Sequence, residues 1–263
     1  MFDFLKKIIQ RSDPEKPIVA RVKIDDVLPL HADESDAFVK RGNEFLTNAE
    51  LDAAEESYRK AIALNSKSAG AHICLGFVLI EQKRLDEAKE VLAKALKLDP
   101  RMADGHYMLG TISREQGNLE LAIAKFKKAI EINPAIERSY PDLCDAHCRL
   151  GQFEEAKAVI NSGIARFPNQ AVFHYYLGNI YATETNGDYA IKCFTAALAI
   201  HPGFSEAHIK LAHVYKAIGN LEAAVNHFGQ ALSLQPDHAE LHCELGLVYL
   251  SMRRLDLATN SYQ

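Results

Sequence analysis

A period of 34 residues runs through most of the chain and constrains its fold more than any other feature. Repeats that begin at residues 35, 69, 103, 137, 171, 205 and 239 align without insertion. Position 20 is alanine in all seven, position 8 is glycine in five, and position 32 is proline in five of the six complete repeats. Such self-similarity is typical of repeat architectures, in which each repeat buries its apolar face against its neighbours.

Each repeat is predicted to form a pair of helices. Positions 4, 7, 8 and 11 carry small or apolar residues at the spacing of one helix face, and positions 20, 24, 27 and 28 do the same for a second helix. A turn such as "EQGN" (115–118) separates the two helices, and its glycine can adopt the left-handed conformation that ends a helix. The proline at position 32 ends the second helix, because it cannot continue the hydrogen-bonded ladder.

The glycine at position 8 needs a physical compensation. Glycine inside a helix costs about 1 kcal/mol relative to alanine. Close approach of the two helices would offset that cost, and we expect Gly110 and its equivalents to face the alanine at position 20, such as Ala122. The fourth repeat departs most from the pattern, with Gly163 at a position that is otherwise alanine, and is therefore predicted to be the least stable.

Composition favours a soluble, intracellular protein. The 263 residues are 48% hydrophobic and 25% charged, which supports a large folded core, and the net charge of −5 without a basic stripe argues against nucleic acid as a partner. Five cysteines without framework spacing suit a reducing compartment. No apolar run approaches the ~20 residues that span a bilayer, so a cytoplasmic location is predicted.

The pattern resembles that of the tetratricopeptide repeat family, whose signature contains an aromatic residue, Leu-Gly, Tyr, Ala, Phe, Ala and Pro at these positions. The resemblance implies an all-α fold, a right-handed superhelical solenoid of antiparallel helix pairs. It covers residues 35–263, as six repeats (35–68, 69–102, 103–136, 137–170, 171–204, 205–238) and a truncated seventh (239–263), after a leader of residues 1–34. Histidine replaces the usual aromatic residue at position 4 in five repeats: His72, His106, His174, His208 and His242.

These histidines are interpreted as packing residues rather than metal ligands. Equivalent helices of neighbouring repeats should lie about 10 Å apart, whereas two nitrogens that share one zinc ion must lie within roughly 4 Å. Cys144 and Cys148 in "CDAHC" are interpreted as core cysteines. No nucleophile–base constellation, P-loop or dinucleotide-binding motif is present, so we predict no catalytic residue, no cofactor and no metal.

The first helices of such an array are expected to line a concave surface that binds a peptide or protein segment. Aromatic, amide and basic side chains at the exposed positions 2, 5, 9, 12 and 13 suit that task. The predicted peptide-binding residues are Asn43, Phe77, Tyr107, Thr111, Arg114, Asp145, Arg149, Tyr175, Asn179, His213 and Lys216.

Two specificities known in the resembled family fit poorly. Of five positions that clamp a chaperone's terminal carboxylate in that family, only Asn43 carries the matching residue here. The asparagine ladder at position 6 of protein-O-linked sugar transferases is absent. The function predicted is therefore a non-enzymatic scaffold or adaptor. The alternative is the substrate-recruiting part of a larger, glycosyltransferase-like enzyme whose catalytic domain lies beyond residue 263.

The two ends of the chain suggest further contacts. In residues 1–10, "MFDFLKKIIQ", apolar residues fall on one helical face, so membrane contact is expected only through this segment. The chain stops inside the second helix of the seventh repeat, which would leave an apolar face open, and self-association through that end is a further expectation.

Overall fold

The computed structural model describes residues 34–262, and every regular element within that range is an α-helix. The predicted leader lies outside the described residues, except for Glu34 at the start of the first helix. The helices are α1 (Glu34–Thr47), α2 (Leu51–Leu64), α3 (Ala69–Glu81), α4 (Leu85–Leu98), α5 (Ala103–Glu115), α6 (Leu119–Ile132), α7 (Ser139–Arg149), α8 (Phe153–Arg166), α9 (Ala171–Thr183), α10 (Gly187–Ile200), α11 (Ser205–Ala217), α12 (Leu221–Leu234), α13 (Ala239–Ser251) and α14 (Leu255–Tyr262).

The described residues fall into two compact units, 34–146 and 147–262. Within each unit consecutive helices pack as pairs, for example α5 with α6 and α11 with α12. The second helix of a pair then packs against the first helix of the next pair. The predicted all-α solenoid of helix pairs is confirmed. Across residues 34–262, none of these helices has the length and apolar character needed to cross a bilayer.

The glycine at position 8 makes room for the large residue at position 24. A Cβ atom added to Gly110 would lie 2.6 Å from ring carbons of Phe126, and one added to Gly178 would lie 2.7 Å from the Phe194 ring. Phe126 and Phe194 are completely buried, as is the alanine at position 20 beside them. The side chain nearest to each of these two glycines is thus the aromatic ring at position 24, and the predicted contact with alanine at position 20 stays a prediction. The close approach is real, but the aromatic ring of the second helix fills the space.

Two mid-helix glycines allow a matched test of this packing. Nothing lies within 4 Å of a Cβ added to Gly229, so Gly229→Ala should stabilise the protein by about 0.5–1 kcal/mol through helix propensity. Gly110→Ala gains the same propensity but forces the Phe126 ring to move, and we expect a net loss of about 1–3 kcal/mol. The free energy of unfolding in urea measures both changes. Equal effects of the two substitutions would contradict the packing role of Gly110.

The turn within every repeat contains one residue in the left-handed region, always at position 15. Three are glycines, among them Gly117 and Gly219 with φ of 78° and 82°. The other four are Ala49, Lys83, Thr185 and Arg253, with φ between 58° and 63°. The sequence suggested this conformation only where glycine stands. At the other four positions the helices before and after the turn impose the left-handed conformation. The side chain there raises the free energy of that conformation relative to glycine.

Thr185 should be the most strained of these turn residues, because its side chain is β-branched. Replacing it by glycine relieves the strain but adds conformational freedom to the unfolded chain, so Thr185→Gly should stabilise the protein by about 0.5–1 kcal/mol. The reverse change, Gly219→Thr, should destabilise it by a similar amount. Thermal unfolding of both variants checks the sign. A loss of stability in Thr185→Gly would show that the left-handed turn carries no strain.

Three of the five histidines at position 4 hold the loops between repeats. The Nε2 atoms of His106, His208 and His242 lie 2.8–3.1 Å from the carbonyl oxygens of the prolines six residues earlier, Pro100, Pro202 and Pro236. Tyr140 makes the same bond through its hydroxyl, which donates to the Pro134 carbonyl over 2.9 Å. A carbonyl can only accept, so each histidine is protonated on Nε2. Within the described residues, no three His, Cys, Asp or Glu side chains converge on a potential metal site.

Candidate functional site

The eleven predicted peptide-binding residues do not all reach the surface. Asn43 is only 5% exposed, and its Oδ1 accepts a hydrogen bond of 2.7 Å from the hydroxyl of Tyr58. Phe77 is 9% exposed and belongs to the hydrophobic core of the first compact unit. Both side chains contribute to the fold, and we leave them out of any binding surface.

The remaining nine residues are exposed or partly exposed on the first helix of each pair, and we call them the first-helix surface. Four lie in the first compact unit, and five lie in the second. In the first unit they are Tyr107, Thr111, Arg114 and Asp145; in the second they are Arg149, Tyr175, Asn179, His213 and Lys216.

In the first compact unit, Asp142 organises the polar part of this surface. The Tyr107 hydroxyl donates to Oδ2 of Asp142 over 2.6 Å, and Nη1 of Arg114 pairs with Oδ1 of the same carboxylate at 2.5 Å. Burial of Tyr107, followed by the negative charge of Asp142, raises the pKa of the phenol, which stays protonated. Burial of the Arg114 guanidinium opposes its charge, but the Asp142 carboxylate outweighs this effect and raises the pKa of Arg114.

A second ion pair, between Arg138 and Asp104, contacts the face of the Tyr107 ring. The Arg138 guanidinium carbon lies 4.1 Å from the centre of that ring, a cation–π contact. Nη2 of Arg138 donates to Oδ1 of Asp104 over 2.9 Å, and the Asp104 side chain is nearly buried. Tyr107 is thus held at its hydroxyl and on its ring face, which restricts the rotation of its side chain.

In the second compact unit, aromatic packing and an ion pair fix the corresponding side chains. The Tyr175 ring packs against Phe204, with 5.0 Å between the ring centres. Nζ of Lys216 pairs with Oε2 of Glu244 at 2.9 Å, and Nε2 of His213 lies 3.7 Å from the same oxygen. Partial burial of His213 lowers its pKa, although Glu244 acts in the opposite direction. Asn179 stays partly exposed and Arg149 is exposed.

The two ion pairs have the same register. Arg114 and Lys216 occupy position 12 of their repeats, and Asp142 and Glu244 occupy position 6 of the repeats that follow. The separation of 28 residues is identical in both cases. Asp142, Glu244, Asp104 and Arg138 were missed as functional residues by the sequence analysis. The available sequence signal was opposite charge at a fixed separation, 28 residues for Arg114–Asp142 and Lys216–Glu244 and 34 residues for Asp104–Arg138.

Comparisons with known proteins identify the family of this chain. Family models described as "Tetratricopeptide repeat" match residues 39–96, 75–135 and 113–180, and one described as "TPR repeat" matches residues 213–252. The chain belongs to the tetratricopeptide repeat family. Comparison with curated protein sequences finds no match.

Several solved structures share the fold. The APC/C hetero-tetramer Cut9-Hcn1 is 19% identical with a TM-score of 0.62, and the match covers 87% of this chain but only 50% of that one. Pseudomonas aeruginosa pilF is 20% identical with a TM-score of 0.68, covering 83% of this chain and 96% of that one. YrrB, described as "a TPR protein with an unusual peptide-binding site", is 24% identical with a TM-score of 0.58, covering 76% and 100%. Family and fold together support a protein–protein interaction scaffold.

The ion pair in the first compact unit should contribute more to stability than the one in the second. Asp142→Ala leaves both Tyr107 and Arg114 without their partner in a setting where the two ionic side chains are less than a quarter exposed, and should cost about 2 kcal/mol. Glu244→Ala removes a more exposed pair and should cost less than about 1 kcal/mol. Urea unfolding of both variants tests the difference. Equal losses would contradict the proposed role of Asp142.

Proposed function

We propose that this protein is a non-enzymatic adaptor that binds a segment of a partner protein on the first-helix surface. The observation that carries the proposal is the fixed orientation of its polar and aromatic side chains. Asp142 holds Tyr107 and Arg114, and Glu244 holds Lys216. A preorganised surface loses less side-chain entropy on binding, which favours affinity for an extended or helical peptide.

The chemistry of this surface favours a peptide with a mixed sequence over one that carries a single strong charge. Arg114 and Lys216 are already neutralised by their carboxylate partners, so they offer hydrogen-bond donors rather than net positive charge. Thr111 and Asn179 add hydroxyl and amide groups, and Tyr175 adds stacking area. YrrB, which shares the fold, has a peptide-binding site, and this supports peptide recognition here as well.

Location and further contacts belong to the same proposal. A cytoplasmic protein fits the cysteine usage and acidic net charge. In the last helix pair Leu247, Leu250, Leu255 and Leu257 are exposed, which is consistent with self-association at that end. Membrane contact would involve residues 1–10, which lie outside the described residues.

A peptide selected from a display library against the full chain allows a direct test. Asn179→Arg places a long charged side chain on the first-helix surface, and Gln230→Arg makes the same charge change at an exposed position on the second helix α12. We expect Asn179→Arg, or Thr111→Arg if the peptide occupies the first compact unit, to weaken binding at least tenfold, about 1.4 kcal/mol. Gln230→Arg should leave the affinity unchanged in isothermal titration calorimetry.

One pattern of affinities among these variants would overturn the proposal. If Gln230→Arg weakened binding while Asn179→Arg and Thr111→Arg did not, the peptide would bind to the second helices. Circular dichroism melts of each variant show whether a loss of binding reflects a loss of fold.

A further inference from the structure

Two histidines in the sixth repeat form a hydrogen-bonded pair. Nδ1 of His208 and Nδ1 of His227 lie 3.0 Å apart, on the facing helices α11 and α12. The His227 ring also stacks against Tyr215, with 5.6 Å between ring centres and 6° between ring planes. His208 is 9% exposed. His227 is partly exposed, so the pair joins the two helices at the edge of the hairpin, at positions 4 and 23 of the repeat.

This combination occurs only once among the described repeats. Position 23 is Ser57, Val91, Lys125, Val159, Cys193 or Ser261 in the other six. The His208–His227 contact is thus an addition to the common architecture of the fold. Position 4 alone already holds the loop between repeats, as His242 does by binding the Pro236 carbonyl without a second imidazole.

The hydrogen-bond partners fix where the protons lie. Nε2 of His208 is 3.1 Å from the carbonyl oxygen of Pro202, which can only accept, so this nitrogen carries a proton. In neutral His208 the other nitrogen, Nδ1, is then an acceptor. Nδ1 of His227 must therefore carry the proton that joins the two rings, and its Nε2 is the unprotonated atom.

The pair can accept one further proton but not two. A proton on Nε2 of His227 leaves both hydrogen bonds intact. A proton on Nδ1 of His208 would place two N–H groups 3.0 Å apart and two positive charges in one hairpin, so the bond between the rings would break. We propose that the His208–His227 pair is a pH-sensitive latch, which holds α11 against α12 at neutral pH and releases them on acidification.

No other charged group in the surroundings compensates for the positive charge of the protonated pair. Burial, followed by the charge of His208, lowers the pKa of His227, and no carboxylate contributes. The charged groups on or next to the neighbouring helices do not contribute to this pKa shift: Glu184 directly after α9, Asp188 and Lys192 on α10, Glu206 and Lys210 on α11, and Glu240 on α13. Glu244 on α13 is already bound to Lys216.

The direction of the pH dependence follows from proton counting. An unfolded chain binds a proton on each histidine as the pH falls through about 6.5. The folded pair binds fewer, because its second protonation is opposed and the pKa of His227 is lowered. Stability contributed by the pair is therefore complete above about pH 6.5 and is lost progressively below it.

The experiment compares the unfolding temperature of the full chain at about pH 7.5 and about pH 5, on either side of the ordinary histidine pKa. In His227→Gln the amide can donate to a neutral His208 or accept from a protonated one, so the acid-induced drop in unfolding temperature should be smaller than in the wild type. His208→Phe should also reduce the drop. His242→Phe is the matched control, since it loses the bond to a proline carbonyl without touching the pair, and should retain the full drop.

Three results would overturn the inference. The first is a drop in His227→Gln as large as that of the wild type. The second is an equal reduction in His242→Phe and His208→Phe, which would assign the effect to position 4 in general. The third is a rise in unfolding temperature on adding Zn²⁺ that requires His227, which would make the pair a metal site. Nitrogen NMR near pH 7.5 provides an independent check, and we expect a proton on Nε2 of His208 and on Nδ1 of His227.

Discussion

The structure depends on the contact between a glycine in the first helix of a pair and a large side chain in the second helix. At position 8 of the first helix, glycine leaves a space that the residue at position 24 of the second helix fills, as Phe126 does above Gly110. Dispersion and apolar burial at this contact offset the ~1 kcal/mol that glycine costs inside a helix. The contact recurs at Gly42, Gly76, Gly110 and Gly178, so these four hairpins close in the same way. The hydrogen bonds and ion pairs between repeats depend on the helix positions that this packing fixes.

Neighbouring repeats are joined by polar bonds that apolar packing alone would not specify. In four repeats the position-4 side chain holds the preceding proline loop, as in the bond from His106 to Pro100. On the same helices, ion pairs such as Arg114–Asp142 join one repeat to the next. These bonds use groups that would otherwise be available to a ligand. Under the proposed function, affinity at the first-helix surface would come from shape and hydrogen bonding, because Arg114 and Lys216 are already paired with carboxylates.

The fold could be predicted from the sequence because it depends on spacing within single helices, which the 34-residue period displays directly. The candidate site could be predicted only in part. Asn43 was expected at the surface, but position 24 of its repeat is tyrosine, and the buried hydroxyl of Tyr58 requires a partner that Asn43 supplies. The pairing of Arg114 with Asp142 depends on the rotation between successive hairpins, which no single helix encodes. Thr185 adopts a left-handed conformation because the chain must reverse there, despite its own preference.

The fourth and fifth repeats share one packing volume. Phe173, at position 3 of the fifth repeat, is completely buried, and a Cβ atom added to Gly163 in the preceding helix would lie 2.8 Å from its ring. Every other complete repeat has alanine at the position of Gly163. Gly163, which suggested that the fourth repeat is weak, thus leaves space for the Phe173 ring of the fifth repeat. These two segments cannot be shuffled as interchangeable modules: a deletion or duplication that placed Phe173 after an alanine-bearing helix would create a clash, so recombination should preserve the two as a single block.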